Sequence, residues 1–107
     1  MHEPKALVKN AADVDQVKNA KIKEKMGREQ ELADVKEVLS TRGGRRFLWR
    51  LLGQCKVHGS IWENSAKIHY NAGQQDVGHR IMAEIIEANE ESYFQMMREA
   101  KGELKNV

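Results

Sequence analysis

Phe47, Leu51 and Cys55 recur at i, i+4 and i+8, and Leu48 and Leu52 run beside them. Two adjacent rows at that spacing make one broad apolar stripe on an α-helix, so the middle of the chain has to fold as a helix with one side buried. The same stretch carries a single sign of charge. Between Leu39 and Glu63 stand five basic residues, Arg42, Arg45, Arg46, Arg50 and Lys56, and no acidic one. A segment that is core-forming and one-signed points its charge at something acidic. The balancing carboxylates stand elsewhere, at Glu84, Glu87, Glu90, Glu91, Glu99 and Glu103, which leaves the chain electrostatically lopsided at a formal net charge of +2.

A chain of 107 residues has room for one domain with a small core. Its 40% hydrophobic and 32% charged content, with proline at Pro4 alone, favours helices over strands, and an all-α class follows. Cys55 is the one cysteine, so no intrachain disulfide forms and a reducing compartment is the natural setting. The N-terminus has no signal-peptide pattern, and no run approaches the roughly 18 apolar residues of a spanning helix. The expectation is a soluble protein that makes no membrane contact.

Residues 1–30 are mostly polar, with Leu7, Val8, Val14, Val17, Ile22 and Met26 scattered among them. Lys21 and Glu24 interrupt the heptad that Leu7, Val14 and Val17 begin, so the segment reads as a charged arm, helical when docked. Residues 31–107 read as the compact domain. Leu32, Val35 and Leu39 give a short helix ending near Ser40, Thr41 caps a second helix over about 42–56, and 57–64 reads as a loop. Trp62 is expected to pack that loop onto the core. A third helix over about 65–88 carries Gly73, Val77, Ile81 and Ile85 on one row with Met82 and Ile86 beside it. Gly73 and Gly78 each cost up to about 1 kcal/mol inside a helix, which implies either close approach of another helix or a break near Gly73. Asn89 then caps a last helix with Tyr93, Met96, Met97 and Ala100, ended by Gly102. The architecture predicted is a small bundle of about four helices with a charged N-terminal arm.

The sharpest local feature is Thr41-Arg42-Gly43-Gly44-Arg45-Arg46, which sets three arginines in the first turns of a helix. Cations at that end are unfavourable by a few tenths of a kcal/mol each, whereas an anion gains charge and backbone donors together. The anion is either Glu87, Glu90 or Glu91 of the same fold, an acidic partner surface, or nucleic-acid phosphate. No Gly-Lys-Ser/Thr closes the string into a phosphate-binding loop. Trp49, flanked by Arg46 and Arg50, is either an exposed interface anchor or buried under the arm. Arg42, Arg45, Arg46, Trp49 and Arg50 are therefore the candidate partner-binding set. Cys55, His58, His69 and His79 lack the paired spacings of a zinc site, and the carboxylate pairs read as a solvated face, so no metal, cofactor or catalytic residue is expected. Met82, Met96 and Met97 are core fillers or an adaptable docking patch. A DNA-reading helix-turn-helix fits poorly, since the second helix spends its side chains on the core.

The strings from Asp34 to Thr41 and Gly44-Arg45-Arg46-Phe47-Leu48-Trp49-Arg50-Leu51-Leu52, with Cys55, resemble the Bbp-nineteen-like family of small tailed-bacteriophage proteins. Tyr70 to Gly78, Ala83-Glu84-Ile85, Tyr93, Met96 and Met97 follow in the family's order, so the resemblance runs from Asp34 to about Met97. Arg42 and Glu90 stand where the family often has proline. The resemblance implies a virion part and carries over no catalytic residue. The expected function is that of a non-enzymatic structural protein, with portal, head–tail or internal ejected proteins as partners. Self-association in a head-to-tail ring would suit its charge asymmetry. A nucleic-acid-binding accessory or regulatory module is the alternative, with DNA contact secondary.

Overall fold

The computed structural model describes the backbone of residues 3–105 and the side chains of residues 11–102. It is all-helical among them: α1 spans Glu3–Leu39, α2 Arg42–Gln54 and α3 Lys67–Lys105. The chain divides into two compact units, Met1–Glu31 and Leu32–Val107.

In the first unit, residues 11–27 are exposed side chain by side chain, including Val14, Val17, Ile22 and Met26 at 49–63%. Helical phase explains this. Val14 and Val17 point one way and Ile22 and Met26 another, so no stripe forms that a single packing surface could cover. An Arg28–Glu31 ion pair of 2.9 Å, at i, i+3, adds a few tenths of a kcal/mol. Leu7 and Val8 of the arm lie outside the described side chains.

The second unit holds the core: Leu39, Leu52, Ile85, Ala88 and Met96 are buried, with Leu32, Val35, Leu48, Trp49, Val57, Ile81, Met82 and Tyr93 packed around them. Four helices were expected and three form, for two local reasons. No proline or loop separates the arm from Leu32, so α1 takes in both predicted pieces. At the other end, α3 is interrupted by the single extended residue Asn89 (φ −166°, ψ 99°), with no loop between its halves. Of the two readings left open for the α3 glycines, the break near Gly73 is absent; the helix passes through it.

Both ends of α2 are closed as its sequence requires. Thr41 stands extended before the first turn and its Oγ1 accepts the Gly44 N–H at 3.0 Å. Gly44 lies against the Val38 carbonyl, where a Cβ would overlap it. At the C-terminus, the Lys56 N–H donates to the Gly53 carbonyl at 3.0 Å and the Val57 N–H to Leu52 at 3.2 Å, with Lys56 itself left-handed at φ 60°. This is a Schellman closure with lysine where glycine is usual. The α2–α3 packing turns on Gly78, whose missing Cβ would lie 2.5 Å from Cys55 Cβ and from Val57 Cγ2. Close approach is the reason for that glycine.

Two expectations about the core are corrected. Phe47 is half exposed, because the buried side of α2 centres on Leu48 and Leu52 and leaves Phe47 at its margin. Trp62 is 74% exposed and does not pack onto the core; the loop is held by other residues.

Candidate functional site

The arginines of α2 separate by helical phase. Arg42, Arg46 and Arg50, at i, i+4 and i+8, share the outer edge and are exposed. The Arg50 guanidinium lies 5.6 Å over the Phe47 ring, so the half-exposed phenylalanine becomes part of the same surface.

Arg45 lies on the inner side of this edge, beside Arg42, and points into the fold. Its Nε donates to Glu99 Oε1 at 2.6 Å and its Nη1 to the Leu39 carbonyl at 2.8 Å, with 12% of the Arg45 side chain and 20% of the Glu99 side chain exposed. Arg42 reaches the other oxygen of the same carboxylate at 3.4 Å while 58% of its side chain stays exposed. An anion expected at the start of α2 is thus within the fold, and for Arg42 and Arg45 Glu99 supplies it. Glu91 pairs with Arg98 at 2.7 Å. With a charge-assisted pair and an α1 carbonyl both on its side chain, Arg45 ties three helices together.

Trp49 is half-buried in an aromatic cluster. Its ring stacks on His58 with centroids 4.8 Å apart, and Tyr93 lies 6.2 Å away with its hydroxyl 2.9 Å from His58 Nε2. Each such ring pair contributes about 0.5–1.5 kcal/mol beyond burial, so Trp49 joins α2 to the loop and to the second half of α3. The sequence left Trp49 as an exposed anchor or as buried beneath the arm; within the second unit its ring is half-buried against His58 and Tyr93.

The connection between α2 and α3 holds residues that the sequence did not single out. Gln75 Nε2 donates to the Lys56 carbonyl at 2.7 Å and to Gly59 at 3.3 Å, Lys56 Nζ donates to Gln74 Oε1 at 2.7 Å, and Asn71 Nδ2 to the Ile61 carbonyl at 3.3 Å. Asn71 is 4% exposed and its Oδ1 has no hydrogen-bond partner. Three amides within five residues at the start of a helix were the available signal: they close a loop whose backbone has few partners of its own.

An apolar groove of about 210 Å³ opens between the last turns of α1, α2 and α3, lined by Val35, Val38, Leu48, Leu51, Ile81 and Ile85 with Glu84 at one wall. Among the described residues no group of three or more His, Cys, Asp or Glu side chains gathers to hold a metal ion. Cys55 is half-buried against Gly78, and His69 and His79 are exposed. No described helix is long and apolar enough to cross a membrane.

Fold and site together define a small all-helical protein with an arginine-edged helix at its surface. The sequence model of the Bbp19-like phage protein family matches residues 35–98, more than half of the chain, and the chain belongs to that family. The match takes in α2, the pinned loop and most of α3 and leaves the first unit outside it. No curated protein and no solved structure matches the chain.

Proposed function

We propose that this phage protein is a non-enzymatic structural component of the tailed-phage virion. It docks through the outer edge of α2 and through the N-terminal arm, near the portal or head–tail region or among the internal proteins ejected with the genome. The observation that carries the reading is the arginine row 42–46–50, exposed on one helix edge while Arg45 is held inside. Arg and aromatic side chains are enriched at interface hot spots, and Phe47 under Arg50 supplies the apolar part. The docking set suggested by sequence narrows accordingly to Arg42, Arg46 and Arg50, with Phe47 added. A partner face rich in carboxylates fits it. The arm supports the same reading, since a helix with every side chain from 11 to 27 exposed gains its stability by packing on something else.

Mass spectrometry of purified particles tests the reading, and absence of the chain from mature virions overturns it. An Arg46→Glu, Arg50→Glu variant should fold and fail to enter particles; normal incorporation removes the role of this edge. Nucleic-acid binding is the other outcome to be watched. A phosphate-binding edge would show affinity for DNA that falls steeply between about 50 and 200 mM salt.

A further inference from the structure

The two halves of α3 are joined through one residue. Asn89 is exposed and extended at φ −166°, ψ 99°, while the residues on both sides of it are helical. An extended residue interrupts the i→i−4 ladder and sets the two halves at an angle. No loop stands between them, so a change at Asn89 alone, from extended to helical φ and ψ, turns α3 into one straight helix.

The contacts of the second half all lie on the far side of that residue. Tyr93 is 6.2 Å from Trp49, with its hydroxyl 2.9 Å from His58 Nε2. Met96 is 1% exposed in the same core cluster as Leu52, and Glu99 Oε1 accepts from Arg45 Nε at 2.6 Å. Arg45, Trp49 and Leu52 belong to α2 and His58 to the loop that follows it. A second copy carries the same Tyr93, Met96 and Glu99, so its own second half of α3 matches this surface residue for residue.

We infer that Asn89 is a hinge across which two copies of the chain exchange the second halves of α3. In the exchanged dimer each α3 runs straight through Asn89 and lays Tyr93, Met96 and Glu99 on the α2 of its neighbour. Its own α2 receives the same residues from that neighbour. The contact is isologous and closes at two copies. Every contact of the closed chain is kept, and the helical hydrogen bonds that the extended Asn89 interrupts are regained, which offsets part of the entropy lost on association.

Refolding the full-length chain from urea at low and at high protein concentration, followed by sedimentation equilibrium, tests the exchange. Dilute refolding should give the 12.3 kDa of one copy, and concentrated refolding twice that mass. Asn89→Ala should tighten the dimer by at least about tenfold, because in each of the two copies alanine is a poorer start for the second half of α3 in the closed form and a better residue inside a straight helix. A charge exchange identifies the contact. Arg45→Glu and Glu99→Arg each set like charges against one another when refolded alone. Unfolded and refolded together, they should give a mixed dimer, seen by native mass spectrometry, that withstands more urea than either variant by itself, since both of its contacts between residues 45 and 99 are again of opposite sign. Two closed chains lying side by side would keep both mismatches. The exchange is overturned if wild type and Asn89→Ala both stay at one copy, if a dimer forms that Asn89→Ala does not tighten, or if the mixture yields no mixed dimer of raised stability.

Discussion

Gly73 and Gly78 sit five residues apart inside α3, and the same added methyl should stabilise the protein at one and destabilise it at the other. Replacing glycine by alanine in a helix interior is favourable by up to about 1 kcal/mol from backbone entropy alone. At Gly73 nothing lies within 4 Å of the added carbon, so that gain is kept and Gly73→Ala should raise stability by about 0.5–1 kcal/mol. At Gly78 the carbon would lie 2.5 Å from Cys55 Cβ and from Val57 Cγ2. Carbon atoms rest at about 3.5–4.0 Å, so a separation of roughly 1 Å or more must open. The Val57 methyl can rotate away, but Cys55 Cβ is fixed to the end of α2 and the two helices have to part. Overpacking of this kind costs about 1–3 kcal/mol, and after the propensity gain Gly78→Ala should lose about 1–2 kcal/mol. Urea unfolding followed by circular dichroism measures both, with the slope of free energy against urea unchanged. Stability changes of the same sign and size at the two positions would refute the close approach of α2 and α3.

The Arg45–Glu99 tie should separate two arginines that are adjacent in sequence: Arg45→Ala should cost about 2–3 kcal/mol in the same unfolding assay, whereas Arg46→Ala stays within about 0.5 kcal/mol. At the left-handed residue after α2, both Lys56→Gly and Lys56→Ala lose the hydrogen bond to Gln74, and the glycine variant should be the more stable by about 1 kcal/mol because it removes the cost of φ 60°. Iodide should quench the fluorescence of Trp62 and largely spare that of Trp49, so Trp62→Phe should remove most of the quenchable signal and Trp49→Phe little of it.

Periodicity carried the fold class, the Thr41 cap and the place of the α3 break, because each depends on residues within a turn or two of one another. It could not show that arm and first helix are continuous, since a polar stretch with the single glycine Gly27 ahead of Leu32 is compatible with either outcome. Phe47 shares a row with Leu51 and Cys55, yet burial depends on which side of that row the other helices approach. The same limit applies to the arginines. Three in one hexapeptide look equivalent in sequence, and only the position of Glu99, 54 residues after Arg45, decides that one of them is internal. Trp62 suggests a core residue by its type alone, while the amides Asn71, Gln74 and Gln75 that actually close the loop look like ordinary surface residues.

Because one guanidinium serves the Leu39 carbonyl and the Glu99 carboxylate together, the end of α1 and the distal part of α3 cannot loosen independently. Native-state hydrogen exchange should therefore find a shared opening event for amides on either side of Arg45, a kinetic gate set by one side chain.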